Sequence, residues 1–220
     1  VKSDVEFSKG SGKAYVTFTI NEGQQYITRD IVIQGSDFFS ADELLTETKL
    51  EEGTYYSVQM AEFDTKKILS KYLGAGFIYA KVEHTRSFPS QGRVDAIFEV
   101  TEGERYKIGY ITITGNQMTH DKVVRRVLDE EDFVPGKWYN ADVARGDGQG
   151  DLEKDLRQTI YAESAFIRPS GQDEGVRNSL VNISEGRTGS VMFGAGVASD
   201  SGLVGQISFD PGSDNIHAVE

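Results

Sequence analysis

Cysteine is absent from the 220 residues, which excludes disulfides, thiolate metal sites and cysteine nucleophiles. Histidine is scarce, and His84, His120 and His217 stand far apart, so no histidine-built metal site is expected. No apolar run approaches the roughly 18 residues of a membrane-spanning helix. Basic residues are few: 23 Lys and Arg against 35 Asp and Glu leave a net charge of −12. That acidity argues against a broad phosphate-binding face, and so no nucleic-acid partner is expected, though it leaves room for a small basic patch. Proline is limited to 4 residues while glycine reaches 24, a balance that points to tight turns rather than a proline-rich linker. The opening Val1-Lys2-Ser3-Asp4 lacks the apolar centre of a signal peptide.

What is present is a repeat. Asn21-Glu22-Gly23, Thr101-Glu102-Gly103 and Ser184-Glu185-Gly186 each follow a strand-like run, and their glycines are 80 and 83 residues apart. After the first two comes a second strand ending in glycine, Ile31-Val32-Ile33-Gln34-Gly35 and Ile111-Thr112-Ile113-Thr114-Gly115. Tyr55-Tyr56 is echoed by Trp138-Tyr139, and Tyr72–Phe77 by Tyr161–Phe166. So ordered a set of matches marks internal duplication.

Each unit reads strand, helix, helix, strand, strand. In the first, Ser40-Ala41-Asp42-Glu43 is a capping box before Leu44 and Leu45. Ser57 caps a longer helix with Ala61, Ile68, Leu69 and Tyr72 on one face, ended by Gly74 and Gly76. A strand through Ile78, Ala80 and Val82 follows, then the turn Ser90-Gln91-Gly92 and alternating Val94, Ala96, Phe98 and Val100. In the second, Thr119 is expected to cap a helix carrying Val123, Val124, Val127 and Leu128. A short turn after Asn140 and a glycine-rich stretch, Gly146–Gly150, precede a helix from Asp151 with Leu152, Leu156 and Ile160 on one stripe. Final strands are expected near Phe166–Pro169 and Val176–Ser184. Two helices on one face of a three-stranded sheet form a stable pair of layers.

Beyond Gly186, Val191–Val197 alternates large with small residues, and Leu203, Gly205, Ile207 and Phe209 alternate against Val204, Gln206, Ser208 and Asp210. This pattern suits either a membrane-barrel wall or an ordinary amphipathic hairpin. Other features carry little. Gly146-Asp147-Gly148-Gln149-Gly150 lacks the strand before it and the Gly-Lys-Ser/Thr ending of a phosphate loop. Asp129-Glu130-Glu131-Asp132 lacks the spaced ligands and central glycine of a calcium loop. Lys122, Arg125 and Arg126 are read as a solvated helix face. No catalytic, cofactor-binding or metal-ligating residue is singled out, and the chain is not expected to be an enzyme.

Units of this order, closing near Glu-Gly and restarting with Ile-x-Ile-x-Gly, resemble the POTRA domains of bacterial outer-membrane β-barrel assembly proteins. The helix ending at Tyr72–Phe77 fits, and the run from Arg187 to Gly196 resembles the junction into a first barrel strand. The stretches Gly146–Gly150 and Ala162–Ala165 depart from the pattern.

The resemblance implies an α+β fold of tandem POTRA domains followed by the first strands of a transmembrane β-barrel. Residues 1–23 would be the closing hairpin of a preceding POTRA, 24–103 and 104–186 two whole ones, and 187–220 the truncated barrel, so the chain is expected to be a piece of a longer protein. It implies a bacterial outer-membrane setting, with this segment on the periplasmic side. There it would receive unfolded outer-membrane proteins by β-augmentation and aid their insertion, alongside assembly lipoproteins and outer-membrane lipid. The implied peptide-binding edge is Ile78, Tyr79, Ala80, Lys81, Val82 and Glu83. The implied barrel seam strand is Val191, Met192, Phe193, Gly194, Ala195 and Gly196. A POTRA-bearing secretion or import pore and a soluble repeat scaffold for protein–protein interaction are the alternatives.

Overall fold

The computed structural model describes the backbone of residues 2–7, 14–19, 24–186, 190–198 and 202–210. Strands β1 (Lys2–Phe7) and β2 (Ala14–Thr19) pair antiparallel as a two-stranded sheet. The chain then forms two compact units, Val1–Leu69 with Lys81–Glu102, and Ser70–Ala80 with Gly103–Glu220.

In the first unit, β3 (Ile27–Gln34) leads to helices α1 (Ala41–Leu45) and α2 (Val58–Gly74), then β4 (Lys81–Ser90) and β5 (Arg93–Thr101). The last turn of α2 falls in the second unit. The sheet order is β3-β5-β4, so the final strand lies in the middle, parallel to β3 and antiparallel to β4. Ser40 opens α1 by accepting the Glu43 amide at 3.2 Å, and Ser57 accepts that of Met60 at 3.4 Å. Val94, Ala96, Phe98 and Val100 alternate into the core with Leu44, Leu50, Ala61 and Ile68. Burying such a Leu, Val or Phe contributes about 1.5–3 kcal/mol each. Asp64 is fully buried on α2 because its carboxylate accepts the amides of Lys49 and Leu50, at 2.6 and 2.9 Å, tying the inter-helix loop down.

The second unit repeats this with β6 (Lys107–Thr114), α3 (Asp121–Glu130), α4 (Asp151–Ile160), β7 (Ala162–Ser170) and β8 (Val176–Glu185), in sheet order β6-β8-β7. Its core joins Ile108, Val124, Leu128, Phe133, Leu152, Leu156, Ile167 and Val181. Helix α4 starts at Asp151 as its apolar stripe requires. Strand β7 begins at Ala162, directly after the left-handed Tyr161 that stops α4.

Two expectations need correction. Helix α3 is not capped by Thr119: His120 is the N-cap residue, without a side-chain bond, and the Thr119 amide donates to Glu185 instead. Strand β4 does not include Ile78–Ala80. The Ala80 amide closes a turn onto the Phe77 carbonyl at 3.0 Å, and sheet pairing starts at Lys81 opposite Thr101. Ile78 packs against the core of the second unit. Ile78 and Ala80, two residues apart and both withdrawn from solvent, imitate a strand's period over so short a run.

Strands β9 (Ser190–Ala198) and β10 (Gly202–Asp210) pair antiparallel with each other. A barrel wall is not evident, since two paired strands do not close a cylinder. The residues beyond Asp210 lie outside the described residues.

Candidate functional site

The glycine of each Ile-x-Ile-x-Gly run meets the central strand. Gly35 and Gly115 have φ of +74° and +88°, and a Cβ on either would overlap the carbonyl oxygen of Val100 or Ile183. Only glycine allows both that backbone angle and that approach. The turn beyond is then held by the acid of the Glu-Gly motif. Glu102 accepts the amides of Asp37 and Phe38 at 2.9 and 2.8 Å. Glu185 accepts those of Met118 and Thr119 at 2.8 and 2.7 Å, which holds its carboxyl below the usual carboxylate range. The two repeat signatures thus meet at one end of each sheet.

The edge strands of the first sheet are β3 and β4. Of the residues expected to form a peptide-binding edge, Lys81, Val82 and Glu83 lie on β4, whereas Ile78, Tyr79 and Ala80 precede it. Tyr79 packs edge-on against Tyr106 at 5.6 Å between ring centres. Among the described residues, hydrogen bonds to the Lys81–Arg86 backbone come from β5 alone, so alternate N–H and C=O groups face outward.

Alongside this edge, α2 and β4 enclose a groove of about 380 Å³ lined by Tyr56, Val58, Glu62, Thr65, Lys66, His84 and Arg86. His84 forms its floor, with Nε2 3.2 Å from the Tyr56 hydroxyl and its ring 5.2 Å from that of Phe98. Burial pushes the His84 imidazole below its ordinary pKa, helped by the Arg86 charge, and pushes the Tyr56 phenol up. The groove offers an aromatic wall, two cations and one carboxylate, a few polar groups beside apolar surface as in ligand clefts.

The matching edge in the second unit, β7, is occupied from within. Glu153, fully buried on α4, accepts the Ile167 amide at 2.7 Å and those of Gly146 and Gly150 at 2.8 and 3.1 Å. Gly146 and Gly148 have φ of +76° and +78°, and Cβ atoms there would crowd Arg168 and Phe166 at 3.0 and 3.1 Å. Arg168 Nε donates back to the Gly146 carbonyl at 3.0 Å. The burial of Glu153 and Asp64 and the role of the Glu-Gly acids are not legible in the sequence. The repetition of Glu before Gly was the one visible signal.

The proposed seam residues Val191–Gly196 lie in β9, opposite Phe209–Val204 of β10, and their side chains lie outside the described residues. On α3, Arg125 pairs with Asp121 at 3.4 Å and Arg126 with Glu130 at 3.7 Å, ordinary contacts one helical turn apart. No acidic or histidine cluster able to hold a metal occurs among the described residues.

Comparison with known proteins follows the duplication. The family described as POTRA, surface antigen variable number repeat, matches residues 26–103 and 106–186. The outer membrane protein assembly factor BamA of Buchnera aphidicola is 25% identical over 219 residues, 96% of this chain and 33% of that protein. That of Neisseria meningitidis is 24% identical over 205 residues, 92% of this chain and 25% of that protein. The chain therefore spans a third or less of the length of these relatives. The crystal structure of Haemophilus influenzae BamA POTRA3-5 shares the fold at a TM-score of 0.62, with 22% identity over 84% of this chain and 71% of that one.

Proposed function

Because the chain belongs to the POTRA family, we propose that it is the periplasmic docking part of an outer-membrane protein assembly factor, as its BamA relatives are named. In this reading an unfolded outer-membrane protein arrives as an extended segment and adds as a strand to β4. Main-chain pairing tolerates many side chains, which suits a receptor for diverse clients. The observation that carries the reading is the open β4 edge beside the α2–β4 groove. The hairpin β1–β2 is read as the close of a preceding POTRA. Strands β9 and β10 are read as the opening of a barrel that continues into outer-membrane lipid, with assembly lipoproteins as neighbours. The chain acts by binding, without catalysis.

The test is a titration of the isotope-labelled chain with peptides from unfolded outer-membrane proteins. Amide shifts are expected along Lys81–Arg86. Unchanged shifts there, with binding elsewhere or none, would refute strand addition at β4.

A further inference from the structure

The two sheets can be laid over each other by register. His84 faces Phe98, which pairs on its other side with Ile33. Ile167 faces Val181, which pairs on its other side with Ile113. His84 therefore holds in the first sheet the place that Ile167 holds in the second. Both side chains point to the helix-covered face, and the handedness of the strand then turns both backbone amides outward. In the second unit that outward amide is taken by the Glu153 carboxylate. Two residues further along, Pro169 carries no N–H at all, and Gly146 and Gly148 lie over the carbonyls of Ile167 and Ala165.

The helices correspond as well. The buried stripe Asp64, Ile68 and Tyr72 of α2 matches Leu152, Leu156 and Ile160 of α4, one residue out of step with the sequence echo of Tyr72 by Tyr161. Thr65 thus stands where Glu153 stands, and its hydroxyl is turned back onto the Ala61 carbonyl at 2.7 Å. Helix α4 lacks the first turn that Val58–Glu62 gives to α2, and the glycine run Gly146–Gly150 takes that place. The second unit fills with its own backbone and carboxylate the space that remains a groove in the first.

We infer that the α2–β4 groove is a site for an extended, small-residue segment carrying a carboxylate, which accepts the outward His84 amide as Glu153 accepts that of Ile167. The inference rests on the strand-addition reading: the segment's main chain pairs along β4 except at His84, where its carboxylate takes the place of a main-chain carbonyl. Lys66 and Arg86 on the groove wall complement such a carboxylate, against the single acid Glu62. Conversely β7, already occupied, does not take up a strand.

The experiment uses the whole chain and two glycine-rich peptides that differ only in a central Glu or Gln, followed by amide shifts. The Glu peptide is expected to bind roughly tenfold more tightly, since a charge-assisted hydrogen bond is about twice as strong as a neutral one. Its shifts should centre on Val82, His84 and Arg86 and spare Ala165 and Ile167. Arg86→Ala should narrow the difference between the peptides. Equal binding of both peptides on β4, or equal shifts on β7, overturns the inference while leaving strand addition intact. If neither these peptides nor peptides from outer-membrane proteins shift β4, the functional reading falls with it.

Discussion

Glu185, at the end of β8, accepts the amide proton of Thr119 at 2.7 Å, across the two ends of the second repeat. The same carboxylate takes the Met118 amide, and Glu102 does the same for Asp37 and Phe38 in the first repeat. The Glu of the repeated Glu-Gly pair is thus a clamp on the loop that enters the first helix. Its folded-state pKa is lowered, chiefly by the Met118 amide. The stability it contributes is present above the ordinary Glu pKa and is lost as pH falls through the lowered one. Glu185→Gln should lower the melting temperature at pH 7, and the gap from wild type should narrow as pH falls below the ordinary Glu range. A gap of constant size over that range would contradict the clamp.

Gly115→Ala should be far more damaging than Gly136→Ala. Both positions have φ near +90°, at +88° and +89°, but only at Gly115 does a Cβ meet backbone, the Ile183 carbonyl. Gly136→Ala should cost roughly the 1–2 kcal/mol of a left-handed L-residue. Gly115→Ala adds steric overlap with the central strand. Urea unfolding of the two variants measures the difference, and Gly35→Ala is expected to follow Gly115→Ala.

His84 gives stability a second pH dependence. Burial, with Arg86 beside it, lowers its folded-state pKa, so the unfolded chain takes up the proton first as pH falls. Stability should be fully present above the ordinary His pKa of about 6.5 and decline below it. His84→Gln should flatten that slope. Denaturant midpoints from pH 7.5 to 5 test this, and an equal slope in the variant would assign it to other groups.

Tyr139 is fully buried with its hydroxyl 3.2 Å from Ser179 Oγ, and burial pushes its phenol well above the ordinary range. Tyr139→Phe keeps the ring contact with Phe133, at 5.2 Å between centres, but strands the Ser179 hydroxyl. A loss of about 1–3 kcal/mol is expected, mostly the cost of that unpaired group. Adding Ser179→Ala should restore part of it, as a double-mutant cycle would show.

The repeat, the five-element order and the helix beginning at Asp151 were legible because each rests on local periodicity. Val94, Ala96, Phe98 and Val100 alternate, and Leu152, Leu156 and Ile160 fall on one helical stripe. The start of β4 was misread because Ile78 and Ala80 alternate like strand residues while facing different surroundings in a turn. Glu153 was invisible for another reason. One acid among 35 looks solvent-facing, and its burial depends on the amides of Gly146, Gly150 and Ile167 converging from two other segments. The glycine run announced unusual backbone angles but not what lay beneath them. The groove itself has no signature, since Tyr56, Lys66 and Arg86 come from a loop, α2 and β4.

The sheet order places the last-made strand of each repeat between the two earlier ones. A ribosome or translocation pore that releases the chain from its N-terminus therefore delivers β3 and β4 with nothing to join them until β5 emerges. Each module must lock in one concerted step from its rear end. Trimming a module from that end removes its keystone rather than a dispensable margin.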